Sequence, residues 1–229
     1  SQTSCALFDL CDVSFAQMSH FIQKNFDMNT TEANVIAHRL NATFRKFQLP
    51  THPSYFAGIP QNTLSALIQA NQRAELMDLA VAGFLSFVVA DDKGSVQLSR
   101  TTRERFLKSL VVDINLEKQS MDNAELVAYT NRFAEEHDFE IDAYDFLKGF
   151  SDYNILNFIG GRVQFSLPFM EHYLLAKALA EDDDKALKYF EATTSDFDFP
   201  TFDLYCEINP TRKLVDTRIA ALELSLEEL

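Results

Sequence analysis

The hydrophobic residues in the first part of the chain recur at intervals of three and four. In residues 15–26, the residues on one helical face are Phe15, Met18, Phe21 or Ile22, and Phe26. Ser14 precedes this segment and is a suitable N-cap. The same spacing predicts three more helices, over residues 30–47, 63–70 and 72–89. We expect these helices to form a bundle within a first domain, residues 1–95.

Three further helical patterns follow, and each has polar residues before it that can serve as an N-cap. The candidates are Ser99, Thr101 or Thr102 for the first helix, Ser120 or Asp122 for the second, and Asp142 for the third. The third helix is short and ends near Phe150. These patterns predict three consecutive helices between the first domain and the next change of periodicity.

That change is a single β-hairpin. Residues 154–159 alternate between outward and inward positions, Gly160 and Gly161 suit a tight turn, and residues 162–166 supply the return strand. Pro168 then suits the first turn of a long helix. Helices followed by a hairpin are typical of a winged helix-turn-helix, which we predict for residues 96–182.

In the last part of the chain, residues 183–229, the pattern predicts the start of a further helical array. Residues 181–184 are all acidic, and we expect them to form a solvated corner between two helices. Helical spacing continues over residues 187–192 and returns over 214–226. Between them, residues 195–200 predict a break in the helical pattern.

Composition supports a mostly α fold. The 229 residues are 47% hydrophobic and include 21 Phe, which is ample for a packed core. Only six Gly and six Pro are present, so turn signals are too few for a many-stranded sheet. We therefore predict a helical bundle, then a winged helix with one β-hairpin, then further helices.

The charge of −14 disfavours nucleic acid as a partner, because phosphate backbones are bound by clustered Lys and Arg. The predicted recognition helix also carries Asp142 and Asp145 against a single Lys148. One basic cluster exists. We expect its members to solvate a helix face or to meet an acidic neighbour; they are Arg100, Arg103, Arg105 and Lys108.

The remaining composition points to a cytoplasmic protein. Cys5, Cys11 and Cys206 are odd in number and lack C-x-x-C spacing, which favours reduced thiols and disfavours a zinc site. No apolar run approaches the roughly 20 residues that cross a bilayer, so we expect no membrane partner.

No catalytic motif is evident, and we predict that the chain is not an enzyme. Phosphate-binding loops and the G-x-S-x-G elbow are absent. His137 and Asp138 suggest metal-dependent phosphohydrolases, but no histidine lies between His52 and His137 to supply the upstream ligand. We expect His137 at a surface helix end, and His172 packed at an interface between helices.

A resemblance adds to these expectations. It rests on an N-terminal strand-to-helix transition, on a helical bundle with two proline motifs, and on the hairpin-to-helix segment. The motifs are Leu49-Pro50-Thr51-His52-Pro53, Gly58-Ile59-Pro60 and residues 163–176. Together they resemble the helical domain and winged helix of bacterial NACHT-type STAND ATPases, in which a P-loop ATPase core precedes these elements and a sensor of repeated helices follows.

The resemblance implies roles for particular residues. In the family a proline of the helical domain lies against the nucleotide base, which corresponds to Pro53 or Pro60. The family's winged-helix motif corresponds to Phe165 at its start and Tyr173 at its end, with Leu167 in place of the phosphate-contacting His and His172 in place of a Glu. Four residues are then expected to form the relay of the winged helix: Phe165, Phe169, His172 and Tyr173.

The function implied is regulatory. We expect a fragment without the P-loop and without a cofactor of its own, ATP or ADP and Mg²⁺ belonging to the parent protein. Its partners would be the upstream ATPase domain and the downstream sensor region, together with a protein ligand, in signalling such as defence against phage. Two alternatives stay open: a free-standing helical adaptor that binds protein through an apolar groove, and a metal-dependent hydrolase with an acidic site around His137.

Overall fold

The computed structural model describes residues 12–46, 51, 64, 66, 68–91, 98–191, 197–209 and 214–216. It confirms a mostly α fold with one antiparallel hairpin. The helices are α1 (Phe15–Asn25), α2 (Thr30–Lys46), α3 (Arg73–Asp91), α4 (Arg100–Asn115), α5 (Asn123–Glu136), α6 (Ala143–Asp152), α7 (Pro168–Ala180), α8 (Asp183–Tyr189) and α9 (Phe199–Ile208). The strands are β1 (Leu156–Ile159) and β2 (Arg162–Phe165). No helix in the described part of the chain has the length and apolarity needed to cross a membrane.

The chain divides into two compact units, Ser1–Phe84 and Leu85–Leu229, with the boundary inside α3. The finer division of the second unit, into a winged-helix domain that ends at residue 182 and a helical array, stays a prediction. Several predicted segments lie wholly or partly outside the described residues: the helices over 63–70 and 214–226, and the loop with Pro53 and Pro60.

In the first unit α1 and α2 pack against each other as the predicted helical hairpin. Ser14 caps α1 and forms a reciprocal capping box with Gln17. Met18 and Ile22 are 1% exposed, and Ala37 of α2 is fully buried. The helical spacing of these apolar residues therefore corresponds to the contact between the two helices.

An aromatic cluster forms the core of α4, α5 and α6 in the second unit. Phe106 of α4 is fully buried, and four other rings surround it with centroid separations of 5.0 to 5.8 Å. These rings belong to Tyr129 and Phe133 of α5 and to Phe146 and Phe150 of α6. Such edge-to-face and stacked contacts add to the free energy gained by burying the rings themselves.

The hairpin has the predicted turn. Gly160 and Gly161 have φ of 60° and 78°, which side chains other than glycine rarely adopt. Leu156 pairs with Phe165, and both side chains are buried. The Val163 N–H donates to the Met121 carbonyl, 2.9 Å away, so the segment just before α5 lies along the outer edge of β2.

Helix α7 contacts α4, α8, α9 and β2. Its apolar residues are spread around much of the helix, and Met170, Leu174 and Leu179 are all fully buried. Pro168 lies in its first turn, as predicted. A helix that is apolar on several sides must be covered on several sides, and α7 is accordingly the helix around which this unit packs.

Helix α9 is an element that the sequence pattern did not predict. Residues 195–200 were expected to break the helical pattern, yet Phe199–Ile208 is a helix with Pro200 in its first turn. A proline there lacks only an N–H that has no intrahelical partner in any case. Asp198 supplies the N-cap, because its carboxylate accepts a hydrogen bond from the Thr201 N–H.

Candidate functional site

The structure places the four predicted relay residues on β2 and the first half of α7. Phe165 and Tyr173 are buried, at 7% and 3% exposed, whereas Phe169 and His172 are half-buried. Pro53 and Pro60, the residues expected near a nucleotide, lie outside the described residues. The contacts of His172 form a site that the sequence did not predict.

His172 joins α7 to the beginning of α9. Its Nδ1 atom lies 2.9 Å from the Thr201 hydroxyl oxygen and 3.5 Å from a carboxylate oxygen of Asp198. This agrees with the expectation that His172 packs at a helix interface. Its partners are a hydroxyl and a carboxylate, however, so the contact depends on the charge of the imidazole.

Asp198 is the centre of the cluster. Its carboxylate accepts hydrogen bonds from the Thr201 N–H at 3.2 Å and the Thr201 hydroxyl at 2.5 Å, both within α9. The Tyr189 hydroxyl at the end of α8 donates a third hydrogen bond, of 2.8 Å. One carboxylate thereby connects α7, α8 and α9. We call His172, Tyr189, Asp198 and Thr201 the junction cluster.

These contacts shift the pKa values of three groups. Burial alone would raise the pKa of Asp198, but the hydrogen bonds from His172, Thr201 and Tyr189 outweigh it and hold that pKa well below the usual value. The hydrogen bond to Asp198 raises the pKa of His172 against the opposing effect of burial. Burial, with the nearby Asp198 carboxylate, raises the pKa of Tyr189.

The geometry does not suit nucleophilic catalysis. A catalytic hydroxyl must be reachable by substrate and must give its proton to a base, whereas the Thr201 side chain is fully buried and donates to Asp198. In addition, Thr201 and Asp198 both lie on the Nδ1 side of His172, so the imidazole is not placed between them as a relay. The junction cluster is therefore suited to holding helices together.

Further polar contacts tie α4 to α7 and to the residue just after α7. Lys177 of α7 pairs with Glu104 at 2.7 Å, and Lys108 pairs with Glu181 just beyond α7, within 2.7 Å. The Lys108 pair fits the expectation that the basic cluster meets an acidic neighbour. The expectation of a solvated face is wrong for Arg103, which is 2% exposed and lies over the Phe146 ring at 5.0 Å.

His137 is at a helix end, as predicted, where it caps α5. Its Nδ1 atom lies 2.9 Å from the Phe133 carbonyl, and its ring stacks on Phe133 and Phe139. Throughout the ranges that the structure describes, no three His, Cys, Asp or Glu side chains are grouped so that they could hold a metal ion. The imidazole of His137 therefore has a local packing role.

An open pocket of about 470 Å³ adjoins the junction cluster. Its lining includes Tyr189 and Asp198 together with Lys118 and Lys188. Lys188 pairs with Glu117 at 3.0 Å, and Tyr189 donates to Asp198, so two of the polar groups already have protein partners. The pocket thus gives solvent access to one side of the junction.

Three members of the junction cluster, Tyr189, Asp198 and Thr201, were not among the predicted site residues. A local signal was present: an aspartate three residues before a threonine, with Pro200 between them, is typical of a helix N-terminus. The pairing of this N-cap with His172 spans 26 residues and depends on the packing of α7 against α9, which no local pattern predicts.

Comparison with models of protein families, with curated proteins and with solved structures finds no match to this chain.

Proposed function

We propose that this chain is a regulatory and interaction module, the helical arm and winged helix of a NACHT-type STAND ATPase. In this proposal it carries no catalytic group and works in the cytoplasm between an upstream ATPase domain and a downstream sensor. A change at the sensor moves α7, and α7 moves the hairpin, so that ligand binding is passed on as a conformational change.

The observation that carries the proposal is the position of α7. Helix α7 directly follows the hairpin in the chain and contacts β2. It also packs against α8 and α9, the two helices that follow it. A buried helix shared by two groups of elements cannot shift without repacking both, because packed interiors have few voids. This is what a relay between two regions requires.

Two features support the winged-helix part of the proposal. The order of α4, α5, α6, β1 and β2 is that of three helices followed by a wing. The Met121 carbonyl also accepts a hydrogen bond from Val163, which puts the α4–α5 connection beside the hairpin as a short third strand would lie. The acidic α6 and the net charge of −14 favour protein partners over DNA.

The complete reading frame tests the proposal. We expect a P-loop and its Mg²⁺-binding acid upstream, within about 150 to 250 residues of Ser1 given ordinary domain sizes. Equilibrium dialysis of this chain alone with ATP and Mg²⁺ should show no binding. A reading frame without a P-loop, or nucleotide hydrolysis by the chain itself, would overturn the proposal.

One observation favours the second candidate, a free-standing adaptor. Phe158 and Ile159 are 40% and 57% exposed beside the hairpin turn, where two large apolar side chains are accessible to a protein partner. A reading frame that begins near Ser1 would favour this candidate. No observation favours the metal-dependent hydrolase, since His137 contacts its own helix end and neighbouring rings.

A further inference from the structure

We propose that the junction cluster is a pH-sensitive latch: it holds the start of α9 against α7 more tightly when His172 is protonated than when His172 is neutral. The inference deepens the proposed function, because it gives the relay helix α7 a means of regulation, and its significance rests on that function. The latch itself is a property of this chain and can be measured without the parent protein.

The first step is the hydrogen bonding at Nδ1 of His172. Both near oxygens, of Thr201 at 2.9 Å and of Asp198 at 3.5 Å, lie on this side of the ring. The Thr201 hydroxyl gives its proton to Asp198 and can only accept from His172. The contact therefore needs a proton on Nδ1, and it is strongest when the whole imidazole is positively charged opposite Asp198.

The second step is the set of charges around His172. On α7 itself the neighbour is Glu171, which accepts a hydrogen bond from Asn115 of α4 at 3.0 Å. From α8 comes the Tyr189 hydroxyl, which donates to Asp198 and stays neutral because its pKa is raised, and from α9 comes the Asp198 carboxylate. Three lysines of α4, α7 and α8 pair with glutamates: Lys108 with Glu181, Lys177 with Glu104, and Lys188 with Glu117. The surroundings of His172 therefore favour its protonated form.

The third step separates the latch from the helix cap. Asp198 caps α9 through the Thr201 N–H and at the same time faces His172. Near neutral pH Asp198 remains ionised. A neutral His172 can still donate through Nδ1, so loss of its charge replaces a charge-assisted hydrogen bond between the helices with a weaker neutral one and leaves the cap in place. The start of α9 is then held less tightly to α7, so its amide protons should exchange faster.

The sign of the pH dependence follows from the two pKa shifts. The pKa of His172 is raised from its usual 6.5, so its stabilising effect is complete below about 6.5 and is lost as pH rises through the folded-state value. The pKa of Asp198 is lowered from 3.8, so its effect is complete above about 3.8 and is lost in acid. The latch is therefore tightest between these limits and weakens on the alkaline side.

The experiment compares amide hydrogen exchange in α9 at pH 6 and pH 8.5, after correction for the intrinsic exchange rates. In the unaltered chain we expect protection factors in Phe199–Ile208 to fall several-fold between the two pH values. In His172→Gln they should be low and equal at both. His137→Gln is the matched control, since it alters another half-buried histidine of the same unit and should keep the normal pH dependence.

A second variant keeps the proposal testable if His172→Gln does not fold. Asp198→Asn keeps a residue that caps helices well and removes the charge, so the midpoint of the His172 NMR titration should move downward. Equal protection at both pH values in the unaltered chain, a pH dependence that persists in His172→Gln, or an unmoved His172 midpoint in Asp198→Asn would overturn the latch. A reading frame without a P-loop would overturn the proposed function and leave these results standing.

Discussion

The aromatic cluster around Phe106 and the junction cluster around His172 hold helices together by different forces. Phe106 is fully buried among four rings, so its contribution comes from apolar burial and ring contacts and does not depend on pH. The junction cluster uses an imidazole that is 33% exposed and a carboxylate that is 20% exposed. The contacts around Phe106 should therefore be insensitive to pH, whereas those of the junction cluster can change with pH.

The largest expected effect tests the aromatic side of this comparison. Phe106→Ala should lower the free energy of unfolding of the second unit by about 3 to 5 kcal/mol, because it leaves a cavity among four rings. Urea unfolding followed by circular dichroism measures the change. Tyr144→Ala, at a side chain that is 64% exposed, is the control and should have little effect. A small loss in Phe106→Ala would contradict the assignment of this cluster as the core.

A smaller effect is expected when Asp198 is removed. Asp198→Ala deletes both the cap of α9 and the partner of His172, which should cost about 1 to 3 kcal/mol. Asp198→Asn should cost less, because asparagine can still accept the hydrogen bond from the Thr201 N–H. The comparison is made in urea at pH 6. Equal losses in the two variants would mean that capping contributes nothing to α9.

The hairpin turn offers a test of local conformation that involves neither cluster. Gly161 has a φ of 78°, and an alanine there should destabilise the unit by about 1 to 2 kcal/mol. Gly161→Asn should be milder, since asparagine tolerates this conformation better, and no neighbouring atom would obstruct a side chain. Thermal unfolding of both variants decides the point, and a harmless Gly161→Ala would contradict the turn geometry.

The smallest expected effect on stability is that of His172→Gln, and it depends on pH. His172→Gln should reduce stability between about pH 4 and 6.5, where both members of the ion pair carry charge in the folded protein. The difference from the unaltered chain should shrink as pH rises through the folded-state pKa of His172. Urea titrations at pH 5.5 and pH 9 measure it. A difference that does not vary with pH would place His172 with Phe106, as a packing residue.

The elements with strong local signals could be predicted from the sequence. Apolar spacing and N-caps predicted α4 to α6, and two consecutive glycines between alternating segments predicted the hairpin. Helix α9 does not follow from apolar spacing, because residues 195–200 predict a break, although proline is well tolerated in the first turn. Pro200 is compatible with either a break or the first turn of a helix. The N-cap at Asp198 indicates the helix.

The candidate site was less predictable than the fold. His172 was chosen on a resemblance and on its place in α7, and nothing in its local sequence indicates Asp198 as a partner. Likewise Arg103 belongs to a basic run that suggests a solvated surface, yet it lies buried over an aromatic ring. Contacts between helices distant in sequence depend on how α4, α7 and α9 pack, and a one-dimensional pattern does not carry that information.

The central claim is that α7 transmits changes between the hairpin and α9. Its most direct test is hydrogen exchange in α9 for Phe165→Leu, which loosens the buried contact of β2, compared with Ile159→Ala at the exposed end of the same hairpin. In the first variant, the free energy of opening that exchange reports for Phe199–Ile208 should fall below the free energy of global unfolding measured in urea. In the second variant, protection of the same residues should stay unchanged. Unchanged protection of α9 in Phe165→Leu, with exchange increased only in the hairpin, would contradict the relay.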